Sequence, residues 1–339
     1  MQRLKFLVLL LLIATLVIAC GDTSTATPAA TSVAATTAPS SSGQAASGND
    51  LVKSAVGITQ GGNFKNPLDS TPDADGTNTY FIASNSKGAG VFKVASAGGN
   101  ASEVVVGAPF VTPHAIAISP DGQQIFVADT KAGNGGQIFV LPITGGTPTV
   151  LNGSSGTAPQ NLTVVNQAGQ AQVYFTGKEA SSGGQPAVFK LPTAGASAAT
   201  VLAKGTPLVE PDGVAVTKSG SIYVADRSAA GNGSGQVFKV ADQQVTTIVT
   251  KVNTGNPAGI ALTQDDSTLL VSALQDDNPN DQVLVVNLAN LKTSSVTNVV
   301  GQNQSAGGVH AIPTGKQNLF AWAGKTRGGV GTVYKIELN

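Results

Sequence analysis

The sequence predicts an all-β protein whose main domain, residues 50–339, is a six-bladed β-propeller with four-stranded antiparallel blades. Two short apolar patterns alternate along this domain, six copies of each, at a period of 45 to 50 residues. Both are β-branched and aromatic runs bounded by Gly, Pro, Asp and Asn, which is typical of strands. No stretch of the domain has a convincing helical period. The first pattern occupies residues 80–83, 125–128, 173–176, 222–225, 269–272 and 319–322, and the second occupies 91–94, 138–141, 188–191, 237–240, 283–286 and 333–336.

Each repeat holds two further strand-like segments, which brings it to the four strands of a propeller blade. One precedes the first pattern, as at 115–118, and one follows the second, as at 149–151. Four strands at this period indicate propeller blades. The sixth repeat ends three residues after its second pattern, whereas an unassigned strand-like segment at 51–56 precedes the first repeat. We therefore predict that residues 51–56 complete the last blade, because this closure removes open sheet edges.

The N-terminal residues are predicted to be a bacterial lipoprotein signal peptide, residues 1–19, that is absent from the folded domain. Arg3 and Lys5 precede an almost entirely apolar run at 6–18, which is too short for a membrane-spanning helix. The run ends in Ala19-Cys20, and Cys20 is the only cysteine of the chain. This junction resembles the bacterial lipobox, in which cleavage precedes a cysteine that receives lipid. The alternative is an ordinary secretory signal in which a cysteine happens to fall at this position.

Residues 20–49 are predicted to be a disordered tether that begins at the lipidated Cys20. The segment consists mainly of Ala, Thr, Ser, Pro and Gly and contains no aromatic residue. It cannot bury enough apolar surface to offset the entropy lost on ordering. As a random coil it spans roughly 30 Å, enough to hold a domain clear of lipid headgroups. The predicted location is the cell envelope, with the lipid anchor on the outer face of the cytoplasmic membrane or in the periplasm.

The charge balance argues against a nucleic-acid partner. The chain has 19 Lys and Arg against 19 Asp and Glu. Removal of residues 1–19 takes away two basic residues, which leaves 17 basic against 19 acidic side chains. The sequence has no basic stripe that could neutralise a phosphate backbone.

Two segments carry a family resemblance. Residues 210–226 run from Pro-Asp-Gly through a strand to a terminal Asp226, and residues 114–129 follow the same plan to Asp129. Both resemble blades of NHL-repeat propellers and of the six-bladed SMP-30/gluconolactonase/strictosidine-synthase-like superfamily. The resemblance covers about residues 51–339 and implies the fold much more strongly than the function, because unrelated functions share such folds.

The same resemblance implies a place to look for a divalent metal such as calcium. Lactonases of the SMP-30 type hold their metal with a Glu, an Asn and an Asp at the entries of innermost strands, and Asp212 matches the Asp. The first repeat leaves the matching position open between Asn66 and Asp69, and the Glu and Asn ligands have no clear counterparts. Asp212 is thus the best metal candidate, although Pro-Asp-Gly is also a common turn signal. The residues at the other matching entries are His114, Gln160, Ala258 and Gly307.

Six polar residues are the candidates for ligand binding at the channel mouth, since six strand entries converge there. His114 fits a ligand or base, or a solvated polar residue. Asp129 and Asp226 end second strands, where an aspartate either contacts a ligand or caps the following turn. The six candidates are His114, Gln160, Glu210, Asp212, Asp129 and Asp226.

Two functions remain open from the sequence. The first is a non-catalytic binding module on a membrane tether, with a protein, a glycan or a small molecule as its ligand. The second is a metal-dependent lactonase or related hydrolase, which only Asp212, His114 and the resemblance support. One carboxylate and one histidine are too few ligands for a hard cation. The sequence therefore favours the binding module, with no catalytic residue assigned.

Replacing Cys20 by serine tests the anchor. The Cys20→Ser precursor should receive no lipid and remain uncleaved before residue 20, because serine lacks the thiol that is modified. Mass spectrometry of the N-terminus of both chains measures this. An unmodified wild-type chain that starts at another residue contradicts the prediction.

Overall fold

The structure is a computed structural model that describes residues 51–180, 183–275, 278–297, 307–315, 318–325 and 330–339. Within this part, 24 strands form six four-stranded antiparallel sheets, which confirms the six-bladed propeller. The signal peptide, Cys20 and the tether fall on residues outside the described part, so they stay predictions.

Consecutive strands make up five of the six blades, each from its innermost strand outward. Blade 1 contains β2 (Lys65–Pro72), β3 (Asn78–Asn85), β4 (Gly88–Ala95) and β5 (Ser102–Val106). Blade 2 contains β6 (Pro113–Ile118), β7 (Gln124–Asp129), β8 (Gln137–Pro142) and β9 (Thr149–Val150). Blade 3 contains β10 (Leu162–Gln167), β11 (Gln170–Glu179), β12 (Gln185–Pro192) and β13 (Thr200–Lys204). Blade 4 contains β14 (Pro211–Val216), β15 (Ile222–Gly231), β16 (Ser234–Ala241) and β17 (Gln244–Val252). Blade 5 contains β18 (Ile260–Leu262), β19 (Thr268–Gln275), β20 (Asn278–Asn287) and β21 (Thr293–Thr297).

The two ends of the domain meet in the sixth blade. This blade contains β22 (Val309–Ala311), β23 (Leu319–Lys325), β24 (Gly331–Leu338) and, as its outer strand, β1 (Val52–Gln60). β1 runs antiparallel to β24, with Ala55 opposite Ile336 and Gly57 opposite Tyr334. The predicted closure is therefore confirmed, and the closing strand extends four residues beyond the predicted segment.

The core lies between the blades. Each blade packs against two neighbours, so its middle strands are buried on both faces and read as apolar runs rather than as an alternation. In β7 every residue except Gln124 is buried. Aromatic residues of the two repeated patterns fill these interfaces. In blade 1, the Phe64 and Phe81 rings are 4.9 Å apart, and those of Phe81 and Phe92 are 5.6 Å apart.

Among the residues that the structure describes, no helix has the length and hydropathy needed to cross a bilayer.

Two truncations test the closure. A chain lacking the residues before 50 should melt like the full chain, because the predicted tether contributes nothing to the core. A chain lacking the residues before 57 loses the partners of Ile336 and Leu338, both of which are buried. Re-exposing apolar surface there should cost about 2 kcal/mol and lower Tm by about 5 °C.

Thermal melts of the three chains, followed by circular dichroism, measure both effects. The chain that starts at residue 50 is the matched control for the shorter one. Identical melting of the two truncated chains contradicts a closing role for β1.

Candidate functional site

Blades 2 and 4 have the same construction where their innermost strands begin. β6 starts at Pro113, which lies opposite Asp129, and β14 starts at Pro211, which lies opposite Asp226. The second residue of β6 is His114, and that of β14 is Asp212. The repeat thus places a polar candidate just inside the same end of the channel in both blades.

Asp129 caps the loop that enters β6. Its carboxylate accepts hydrogen bonds from the backbone N–H groups of Val111, Thr112, Lys131 and Ala132, at 2.8 to 3.1 Å. The side chain is fully buried. A buried carboxylate with four backbone donors holds the loop in place.

Asp226 does the same in blade 4. It accepts from the backbone N–H groups of Val209, Glu210 and Ser228 and is also fully buried. The sequence allowed two roles for Asp129 and Asp226, and in the structure both cap the neighbouring loops. A ligand could reach either carboxylate only by displacing the loop.

Asp212 is buried and only half satisfied. Its Oδ2 accepts the N–H of Ala258 at 2.9 Å, whereas Oδ1 has no hydrogen-bond partner among the described residues. Burial raises the pKa of Asp212 above its ordinary value, and the nearby charges of His114 and Arg227 only partly oppose this shift. Asp212 therefore links blade 4 to blade 5 through Oδ2, whereas Oδ1 is left without a partner among the described residues.

His114 spans the channel mouth. Its Nδ1 lies 2.8 Å from the carbonyl oxygen of Gln160 in the neighbouring repeat, and its Nε2 lies 3.1 Å from Oδ1 of Asn256. Asn256 precedes blade 5, so the imidazole joins the entries of three blades. Asn256 was not among the residues predicted from the sequence, although Asn256 precedes a proline as Thr112 and Glu210 do in their repeats.

Gln160 and Glu210 are less enclosed. The Gln160 side chain donates to the carbonyl oxygen of Ala158 at 3.1 Å. Glu210 lies 3.5 Å from the guanidinium of Arg227 and accepts a hydrogen bond from the Ser228 hydroxyl. Nearly half of the Glu210 side chain is exposed, so this ion pair contributes little to stability.

A ring of six side chains, one from each blade, ties every blade to the next, and Asp212 and His114 belong to it. Of the other four members, Asp69 is one of the two positions that the sequence left open in the first repeat, whereas His310, Thr176 and Ser272 received no role from the sequence. Asp69 pairs with Ile82 in β3 and therefore lies deeper along its strand than Asp212 does. Of the two positions left open in the first repeat, Asp69 is thus not the counterpart of Asp212. The contacts of this inter-blade ring are Asp69 to Ile116 N–H, His114 to Gln160 C=O, Thr176 to Asp212 C=O, Asp212 to Ala258 N–H, Ser272 to Gly307 C=O, and His310 to the Asp69 carboxylate.

These contacts limit the chemistry of the channel mouth. In the part of the chain that the structure describes, no three His, Cys, Asp or Glu residues converge as a metal site would require. Of the carboxylates discussed, Asp212 alone has a buried oxygen without a partner among the described residues.

A cavity of about 330 Å³ lies toward the opposite end of the channel. Innermost strands of all six blades contribute to its walls, from Thr71 in β2 to Ala311 in β22. The outer end of this cavity is lined by residues at or just beyond the ends of those strands, among them Asn166, Lys218 and Gln264. None of the six candidates from the sequence lines it.

The comparisons with known proteins show the fold. No protein-family model matches the sequence, and neither does any curated protein. Among solved structures, the chain resembles the PQQ-bound aldose sugar dehydrogenase of Streptomyces coelicolor, at 12% identity and a TM-score of 0.60, covering 84% of this chain and 96% of that one.

Two further structures illustrate the range of functions on this fold. A gluconolactonase of Xanthomonas campestris is 14% identical, with a TM-score of 0.55 and coverage of 82% of this chain and 88% of that one. A chain of a nidogen/laminin complex is 14% identical, with a TM-score of 0.54 and coverage of 68% and 80%. The chain is thus a six-bladed propeller similar to SMP-30-like and other propellers, and at these identities the likeness extends to the fold alone.

The raised pKa of Asp212 predicts a pH dependence. A carboxyl group whose pKa is higher in the folded state stabilises the fold at low pH, and this contribution is lost as the pH rises from the ordinary value of 3.8 through the folded-state pKa. Asp212→Asn keeps an acceptor for Ala258 and does not titrate. Its stability relative to the wild type should therefore increase as the pH rises above the ordinary value of 3.8.

Asp121 is the matched control because its pKa shifts the other way. Hydrogen bonds from the Ser119 hydroxyl and the Gln123 N–H lower it. Asp121→Asn should therefore lose stability relative to the wild type as the pH rises toward the ordinary value of 3.8, and change little above it. Urea unfolding at several pH values measures both variants. Parallel pH profiles for Asp212→Asn and the wild type contradict a raised pKa.

Proposed function

We propose that this protein is a non-catalytic binding module, held by a lipid on Cys20 at the outer face of the membrane. The observation that supports this proposal is that the carboxylates at the channel mouth are hydrogen-bonded to backbone groups of the protein. Asp129 and Asp226 hold loop N–H groups, and Asp212 holds the next blade. Groups committed to the backbone are poor candidates for binding a metal or transferring a proton.

The proposed binding surface is the rim around the channel mouth. Loops of matching sequence, 107–114 in blade 2 and 205–212 in blade 4, form part of it. Val111 and Val209 occupy the same position in the two loops and are 60% and 51% exposed. Their own N–H groups are bonded to Asp129 and Asp226, so the loops present these side chains from a fixed backbone.

Two fixed apolar side chains on the rim, Val111 in blade 2 and Val209 next to the Glu210–Arg227 pair in blade 4, favour a protein partner over a glycan or a small molecule. Protein interfaces combine apolar contacts with a polar rim. The similar propeller in the nidogen/laminin complex supports this choice by analogy only. The predicted tether of residues 20–49 would allow the rim to reach a partner at some distance from the membrane.

The competing function is a metal-dependent lactonase. It is favoured by the unpartnered Oδ1 of Asp212 and by the similarity to a gluconolactonase. A hard cation needs several oxygen ligands, and Asp212 supplies one.

Elemental analysis and a lactone hydrolysis assay on the purified full chain separate the two functions. The wild type and Asp212→Ala should both contain less than stoichiometric calcium or zinc and hydrolyse no lactone. Glu210→Ala, which changes an exposed carboxylate, is the matched control. Stoichiometric metal in the wild type that is lost from Asp212→Ala alone would favour the lactonase and overturn the proposal.

A further inference from the structure

A buried carboxylate and an imidazole meet where the first blade adjoins the last. Asp69 lies on β2 and is fully buried, whereas His310 lies on β22 and is 5% exposed. His310 Nε2 is 2.9 Å from Asp69 Oδ2. Asp69 also accepts the backbone N–H groups of Ser70 and Ile116, each at 2.9 Å. Both carboxylate oxygens thus accept a backbone N–H, and we assign the hydrogen of the His310–Asp69 bond to Nε2.

The backbone beside this pair is shaped to admit it. A Cβ atom on Gly308 would lie 1.8 Å from Oδ1 of Asp69. Only glycine allows the strand to pass so close to the carboxylate. The pair is therefore a built feature of the channel rather than a chance contact of two long side chains.

The second ring nitrogen of His310 is free. Within the described residues no group hydrogen-bonds to Nδ1, and His310 is one of the side chains that line the 330 Å³ cavity. Much of the remaining wall is aliphatic. The aliphatic lining includes Ile118, Val164, Val214, Val216, Ile260 and Leu262.

Lys218 and Gln264, which lie near the outer end of the cavity, are by contrast bonded to other parts of the wall. Lys218 donates its backbone N–H to Asp266 and its ammonium to the carbonyl oxygen of Gln264. The Gln264 amide donates to the carbonyl oxygen of Ile312 at 2.8 Å. His310 is therefore one of the polar groups of this wall, together with Thr163 and Asn166, that keep hydrogen-bonding capacity for a ligand.

We propose that the cavity binds a small uncharged molecule with an apolar body and one hydroxyl group, which bonds to Nδ1 of His310. This site lies toward the opposite end of the channel from the rim and does not depend on the function proposed above. Its volume is at the lower end of the range of ligand pockets, about 300–1,000 Å³, which fits a small molecule.

The hydroxyl group follows from the chemistry of imidazole. Nδ1 accepts a hydrogen bond when the ring is neutral and donates one when the ring is protonated. A hydroxyl group both donates and accepts, so it satisfies Nδ1 in either state. An ammonium group only donates and a carboxylate only accepts, so each matches Nδ1 in one protonation state of the ring and not in the other.

The two histidines of the chain make a direct test possible. Long-range ¹H–¹⁵N spectra of the purified full chain give separate imidazole signals for His310 and His114, and His114→Gln assigns them. Cyclohexanol, cyclohexylamine and cyclohexanecarboxylate are added in turn at constant pH. Cyclohexanol should shift the His310 signals saturably and leave those of His114 in place. The analogue that does not match the protonation state of the ring, which is the carboxylate for a neutral ring and the ammonium for a protonated one, should bind at least about tenfold more weakly, since it loses a matched hydrogen bond.

Ala311→Phe provides the second arm. Ala311 lines the cavity beside His310 and takes no part in the bond to Asp69, so a larger ring there should fill the cavity and abolish the cyclohexanol shift. A melting temperature like that of the wild type confirms that this variant is folded. If it is not folded, the three-ligand comparison on the wild type decides alone. A His310 signal that ignores cyclohexanol, or that responds equally to all three compounds, overturns the proposal.

Discussion

The Asp69 carboxylate holds together three blades at the centre of this propeller. It bonds to its own strand, to the backbone of blade 2 through Ile116, and to blade 6 through His310. Neighbouring blades share no sheet ladder, so their order and closure depend on packing, on isolated backbone hydrogen bonds such as that from Gly308 N–H to Leu68 C=O, and on side-chain contacts of this kind. Removing one partner of a buried, hydrogen-bonded pair typically costs about 3–5 kcal/mol, because the other is left uncompensated. The other members of the inter-blade ring repeat this arrangement with weaker groups, such as the hydroxyls of Thr176 and Ser272.

The same contacts explain why the fold suggests so little chemistry. The inner strands bring polar side chains to the ends of the channel, and the ring uses most of them to satisfy backbone groups. Among the described residues, one oxygen of Asp212 at one end of the channel and one ring nitrogen of His310 toward the other end have no hydrogen-bond partner. A binding function needs only such isolated groups and an exposed rim, whereas metal catalysis needs several ligands that converge.

Interpretation of Asp212 shows the limit of a resemblance based on motif. The Pro-Asp-Gly entry fits both a metal ligand and a turn, and the structure displays a third use, a bond to Ala258 in the next blade. The contact partner lies 46 residues away, so the local sequence could not reveal it. Asn256 was missed for a related reason, since its partner His114 lies 142 residues away. Its place before a proline was the one signal available.

The sequence by itself determined the number of blades, their strands and the closing strand, because blades are built from hairpins whose strands are close in the chain. A local pattern repeated six times is visible without any knowledge of distant contacts. Only the tertiary structure decided which polar residues meet, because closing the ring brings together the first and last repeats. Asp69 and His310 are 241 residues apart and become neighbours through that closure alone. The cavity likewise arises only when six innermost strands surround one axis, and no single repeat contains it.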